Sequence, residues 1–358
     1  MSVKRRLGFR LAVSVLALLI ALAAVEIGAR LIFRVQHHRL AVAAFPWIEL
    51  RPAGPRLAPA THRDIFARIN GRTIRLDVNA LGFRGPELLP RAPGRPRIAI
   101  LGDSIVFGPG LEEKETIPGR LRRLLPGAEI VNEAVPGLGT REEVDLLVET
   151  YPRVLPDAVV LGFYLNDSRR SIVLEEEYGD LPDFITSAVT RLRESSVAMN
   201  ELWPRLIAAG LIRTGKLSTD WALPFNRRGW IEDRADYRRV IELAADDFGA
   251  AWREDSWPPV EREFKRLADF CAAHGMKAAV VVFPVYLQVK SEAADSYPQE
   301  RVRAIAEKLG LPVLDLLPAL RARRDGKLFY DQCHLTALGA DIAALELARF
   351  LRENRLAP

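Results

Sequence analysis

Hydrophobic and polar positions fall into three regimes along this chain. Leu11 to Val25 is an unbroken apolar run, and the pattern continues through Ile27, Gly28, Ala29, Leu31, Ile32 and Phe33. It predicts one long helix from about Leu7 to Phe33. Residues 35–95 are rich in proline and poor in periodicity. Within them Gly71–Asn79 alternates like a strand, and Leu81-Gly-Phe-Arg-Gly-Pro86 reads as a tight turn. From Arg97 onward short apolar runs alternate with helical periodicity. Strands are predicted at 97–102, 128–132, 157–163, 277–283 and 311–315. Helices are predicted at 116–125, 140–150, 260–274, 299–309 and 335–353, with Val144, Leu147 and Val148 on one side of the second. Residues 168–256 interrupt this rhythm. They are helical in places and hold Trp203, Trp221, Trp230 and Trp252.

Strands that alternate with helices imply a parallel sheet covered on both faces, and such sheets take their ligands at the carboxyl ends of the strands. The organisation read from the chain is a membrane segment (1–34), an irregular arm (35–95) and an α/β domain (96–358) with an insertion at 168–256.

Charge sharpens the reading of the N-terminus. Lys4, Arg5, Arg6, Arg10, Arg30 and Arg34 face one acid, Glu26, so this segment accounts for the whole formal charge of +5. The remaining chain is neutral, which argues against a nucleic-acid partner. Basic residues before an apolar run stay cytoplasmic, so the body is expected on the extracytoplasmic (periplasmic) side. Glu26 and Arg30 are four apart and can pair on one helix face. The rival is a cleaved signal peptide, because Ala21-Leu22-Ala23 resembles a processing site. The two cysteines, Cys271 and Cys333, fit neither a zinc site nor a disulfide framework and read as small hydrophobes.

The candidate chemistry sits where the strands end. Gly102-Asp103-Ser104 follows the first strand, and Asn132-Glu-Ala-Val-Pro-Gly137 follows the second. Leu165-Asn166-Asp167 follows the third, and Asp331-Gln-Cys-His334 precedes the last helix. An Asp three residues before a His can accept the imidazole Nδ1–H and leave Nε2 free to take a proton from serine. Of five histidines, His37 and His38 adjoin the membrane segment, His62 lies in the arm and His274 ends a helix beside Gly275. Only His334 has an acid at this spacing. The Ser104 and Gly137 amides and the Asn166 side chain could serve as oxyanion donors. Taken singly, each of these residues is better read as an ordinary cap or turn residue; the signal is their joint order.

That ordered set, Ser104, Gly137, Asn166-Asp167 and Asp331-x-x-His334, resembles the four blocks of the SGNH/GDSL hydrolase superfamily over residues 96–167 and 259–358. The resemblance implies a flavodoxin-like three-layer α/β/α sandwich with a five-stranded parallel sheet. It implies a serine esterase with Ser104, Asp331 and His334 as catalytic residues and Ser104, Gly137 and Asn166 as the oxyanion hole. It implies no metal and no cofactor, and a small-molecule, lipid or glycan ester as substrate. Asp103 and Asp167 are expected to brace the loops. Two departures stand out: Ile105 follows Ser104 where the family usually has leucine, and Tyr164 occupies a position where it often has glycine. Tyr164 is therefore expected to narrow or polarise the cleft, and the insertion to form a lid. The arm segment Asn79-Ala-Leu-Gly-Phe-Arg-Gly85 also resembles one in membrane-anchored bacterial members. An O-acyltransferase on the same residues and a non-catalytic binding module remain the alternatives.

Overall fold

The computed structural model describes residues 3–33, 40–42, 45–51, 54–67, 70–168, 234–245 and 247–358, with isolated positions between 185 and 199. Trp203, Trp221 and Trp230 lie outside the described residues. The chain divides into two compact units, one of residues 1–52 with 176–217, the other of residues 53–175 with 218–358.

The first unit is dominated by α1 (Val3–Phe33). Its Val13–Leu31 stretch has a mean hydropathy of 2.0 over 19 residues and is exposed along nearly its whole length, Ala29 being the buried exception. At 1.5 Å per residue this covers roughly 28 Å, close to the ~30 Å of a bilayer hydrocarbon core. A helix this apolar and this exposed has the composition of a membrane span or a leader sequence. The Arg30 Nε donates to Glu26 Oε1 at 2.7 Å, the pairing that their spacing predicts. Glu26 Oε2 also accepts from Ser196 Oγ at 2.7 Å and the Ala198 amide at 3.1 Å. A hairpin of β1 (Leu40–Val42) and β2 (Phe45–Arg51) follows.

In the second unit, β3 (Gly54–Leu57) leads into an antiparallel hairpin of β4 (Thr61–Ala67) and β5 (Arg72–Val78). The expected strand at 71–79 is thus present, and its partner had no clear sequence signal. The five strands read from the apolar runs are β6 (Arg97–Gly102), β7 (Glu129–Asn132), β8 (Ala158–Tyr164), β9 (Lys277–Phe283) and β10 (Val313–Asp315). They form one sheet in the order β10-β9-β8-β6-β7, and every pairing is parallel. Numbered along the chain this is 2-1-3-4-5, the flavodoxin-like order. All residues of β6 and β8 are buried, as continuous rather than alternating apolar runs require.

The helices are α2 (Ser104–Phe107), α3 (Ile117–Leu124), α4 (Thr140–Val154), α5 (Arg234–Leu243), α6 (Trp257–Ala273), α7 (Tyr286–Lys290), α8 (Tyr297–Lys308), α9 (Leu317–Arg321) and α10 (Ala337–Glu353). Helix α3 packs on α10, and α4 packs on α6, which in turn packs on α8, giving the layers of an α/β/α sandwich. Thr116 and Thr336 cap α3 and α10 by accepting the amides of Gly119 and Gly339. On α4 the sequence reading needs a correction: Val148 is 38% exposed, and Leu146 joins Val144 and Leu147 in the core.

The chain order of the strands reverses between β6 and β8. The loops after β6, β7 and β8 therefore lie side by side at the carboxyl edge of the sheet.

Candidate active site

Ser104 opens α2 directly after β6. The Asp103 Oδ1 caps this turn by accepting the Ile105 amide at 2.8 Å. Gly102, at φ 155°, meets Val106 so closely that a Cβ there would lie 2.5 Å from the Val106 side chain; a Cβ on Gly162 of the neighbouring strand would do the same. Helix α2, which Ser104 opens, is thus seated directly on the two central strands.

The sequence-predicted triad converges. Ser104 Oγ lies 2.9 Å from His334 Nε2, across 230 residues of chain, and His334 Nδ1 lies 2.7 Å from Asp331 Oδ2. The other Asp331 oxygen accepts the backbone amides of Cys333 and His334 at 3.0 and 2.8 Å. Asp-x-x-His is therefore a closed local turn: one carboxylate oxygen shapes the backbone, the other orients the ring. The imidazole is half-buried. Burial alone would lower its pKa, but the hydrogen bond and charge of Asp331, with the charges of Asp103 and Asp247, outweigh burial and raise it above 6.5. Burial pushes Asp331 upward, yet the His334 ring and the two amides leave it below the usual carboxylate value.

The remaining predicted residues occupy adjacent loops. Gly137, at φ 78°, adopts a backbone conformation that favours glycine in the loop after β7. Asn166 lies in a 3₁₀ turn (Leu165–Ser168) after β8, with its Oδ1 buried and without a hydrogen-bond partner. Asp103 and Asp167 do brace the loops. Asp167 Oδ2 accepts the Tyr164 amide at 2.6 Å, and Thr140 Oγ1 of α4 donates to the Asp167 carbonyl at 3.0 Å. Burial pushes Asp103 up to about 6.

Tyr164 is 1% exposed, with Cys333, Asp247, Asp103 and Asp331 as its titratable neighbours, so it is a buried residue close to the triad. Two residues near the triad escaped the sequence reading. Cys333 puts its Sγ 3.4 Å from His334 Nδ1, yet burial, followed by the charges of Asp331, Asp247 and Asp103, pushes its thiol far above the ordinary range. With Asp331 and His334 it forms a group of potential metal ligands, in which His334 Nδ1 and Asp331 Oδ2 are hydrogen-bonded to each other. Asp247 comes from the end of the insertion, where no motif marks it, and its charge acts on His334, Asp103 and Cys333.

Several acids that look like surface residues in the sequence are buried. Glu133, 1% exposed, accepts from Thr150 Oγ1 at 2.6 Å with one oxygen, while the other has no partner. Burial pushes its pKa from 4.5 up to about 7. The fold therefore disfavours its charged form. The protein is most stable with respect to Glu133 below pH 4.5, loses stability as the pH rises through 7, and changes no further above that. The full difference is roughly 3 kcal/mol. Glu133→Gln keeps the acceptor for Thr150, so it is expected to raise the thermal midpoint at pH 8 but not near pH 4.5. Equal midpoint shifts at both values would contradict this assignment.

No protein-family model matches the chain, and no curated protein matches it. Solved structures similar to it include TesA (12% identity, 72% of this chain and 98% of that chain, TM-score 0.40). A catalytic mutant of Axe2, an acetylxylan esterase from Geobacillus stearothermophilus, matches at 14% identity over 72% of this chain and 94% of that one, TM-score 0.39. A member of the lipolytic protein G-D-S-L family from Veillonella parvula matches at 10% identity over 71% and 96%, TM-score 0.36.

Proposed function

We propose that the chain is a serine ester hydrolase of the SGNH type, acting on an acyl or acetyl ester of a small molecule, lipid or glycan. The observation that carries this reading is the continuous relay from Ser104 Oγ to His334 Nε2 (2.9 Å) and from His334 Nδ1 to Asp331 Oδ2 (2.7 Å). In this reading neutral His334 takes the Ser104 proton as Oγ attacks the ester carbonyl. The Ser104 and Gly137 amides and the Asn166 side chain hold the developing oxyanion. His334 then gives the proton to the departing alcohol, leaving Ser104 acylated. Water, deprotonated by His334, releases the acid and restores the serine. The buried aspartates at the feet of both loops support the required rigidity.

A fluorophosphonate probe tests this directly. It should label the protein once, at Ser104, and compete with short acyl esters; labelling elsewhere, or none, would refute the reading.

The end of the insertion supports a role at the cleft. A 3₁₀ turn, Phe248–Trp252, packs against the turn that carries Asn166, and Trp252 Nε1 is held by Asp295 Oδ1 at 2.7 Å. In this reading the insertion forms one wall of the substrate site and selects the ester.

The helix α1 serves as an anchor, with the catalytic unit on the extracytoplasmic side. A protease added outside the inner membrane of intact cells should digest residues 35–358. Full protection of those residues until the membrane is opened would reverse the orientation.

A further inference from the structure

The segment Asn79-Ala-Leu-Gly-Phe-Arg-Gly85 lies in the arm, outside the sheet, yet it is built with unusual care. Asn79 Oδ1 accepts the amides of Leu81 and Phe83, both at 3.0 Å, and its Nδ2 donates to the Pro86 carbonyl at 3.0 Å. Gly82 and Gly85 take φ values of 86° and 122°. A Cβ on Gly82 would lie 3.1 Å from the Leu57 carbonyl, and one on Gly85 would lie 2.9 Å from the Arg122 guanidinium. Phe83 anchors the turn by packing against Val131 and Val154. All of this holds Arg84, 1% exposed, in one place.

Arg84 reaches the far end of the nucleophile helix. Its Nη1 donates to the carbonyls of Phe107 and Gly108, both at 2.7 Å, and its Nη2 donates to the Leu111 carbonyl at 2.5 Å. The guanidinium lies 4.8 Å over the Phe107 ring. Every side-chain hydrogen bond it makes among the described residues ends on a carbonyl. Helix α2 is a single turn, Ser104–Phe107, ended by Gly108 in the left-handed conformation with its amide on the Ser104 carbonyl. A single turn has little stability of its own, and its last carbonyls lack helical partners. A buried cation is costly to keep for packing alone, whereas its planar fork fixes several acceptors at once. Burial lowers the Arg84 pKa to about 10, against the charges of Glu113, Glu112 and Asp77 and with that of Arg122, so it stays a cation at neutral pH.

We infer that Arg84 is a positioning residue for Ser104: the arm clamps the C-terminal end of the one-turn helix whose first residue is the nucleophile, and so holds Oγ against His334. This rests on the reading of Ser104 as nucleophile. Asp103 fixes the start of the turn, Val106 seats it on the sheet, and Arg84 closes its end. A tilt about Ser104 would lengthen the 2.9 Å contact to His334 without disturbing the His334–Asp331 pair.

The test uses the full chain in detergent, with Arg84→Lys, Arg84→Met and Ser104→Ala, and reads both the rate and the final stoichiometry of fluorophosphonate labelling. Lysine keeps the charge but cannot fork to three carbonyls. Arg84→Lys is expected to label to the wild-type stoichiometry at least about tenfold more slowly, because small misplacements of reacting groups are expensive. Its kcat should fall in parallel while KM stays within about threefold, and the acid limb of its pH profile should not move. In Arg84→Met, added methylguanidinium should restore part of the labelling rate. A wild-type labelling rate in both variants overturns the inference. So does a lowered stoichiometry with an unchanged rate per labelled molecule, or a complete absence of labelling in both variants, because Arg84 would then serve folding only. Labelling of Ser104→Ala would instead refute the nucleophile assignment itself.

Discussion

Ser104→Ala is expected to lower kcat/KM for short acyl esters by about 10⁶-fold, the scale seen when a triad nucleophile is removed. The geometry leaves no substitute. The nearest alternative nucleophile is Cys333, whose Sγ lies 3.4 Å from His334 Nδ1, the nitrogen already committed to Asp331, and not from the Nε2 that serves Ser104. Its thiol is also held protonated by burial, which pushes its pKa far above the ordinary range. Residual activity should reflect only binding and oxyanion stabilisation of water attack. Ester hydrolysis of purified wild type and variant at equal concentration measures the effect; a loss below tenfold would remove Ser104 from the mechanism.

Asp331→Asn is expected to cost about 10⁴-fold in kcat, and the reason is visible in the hydrogen bonds. Asp331 Oδ1 is held by two backbone amides, those of Cys333 and His334, and only an oxygen can accept from them. In asparagine the oxygen must therefore take that place, which turns the amide NH₂ toward His334 Nδ1. The imidazole is forced into the tautomer with its proton on Nε2, and it then faces Ser104 as a donor and cannot act as a base. The pH profile supplies a second readout. Activity requires neutral His334 and rises through its pKa, which Asp331, together with Asp103 and Asp247, holds above 6.5 against burial. Without the carboxylate that limb should move to lower pH, while the maximal rate falls. An unchanged maximal rate would show that Asp331 does not orient the base.

Much of the fold was legible because the three central strands of the sheet are short, nearly continuous apolar runs, and the strands are separated by helical periodicity. Residues 97–102 and 277–283 match their strands to the residue. Asp331-x-x-His334 was legible for a different reason: three residues suffice to close the turn, so the spacing carries the geometry. The convergence of Ser104 on His334 was legible only as an ordered set of loop residues. The position of Tyr164 was not legible. In β8 both faces are buried, so alternation gives no clue to whether a side chain points toward the crevice or beneath it.

Sequence alone, then, determined the five strands of the sheet and the long helices between them, their parallel arrangement, the apolar N-terminal helix and the residues that follow the strand ends. All of these follow from local periodicity or from short spacings. Tertiary structure alone decided which charged residues lie inside. Glu133 and Glu143 belong to no motif that marks them as interior, yet they are 1% and 0% exposed once β7 and α4 are packed. Arg84 reads as a turn arginine until the arm folds across α2, and the charge of Asp247 acts on His334 only because the end of the insertion returns to the turn that carries Asn166. Burial and long-range electrostatics depend on what lies across the fold, and a residue's neighbours in the chain do not record that.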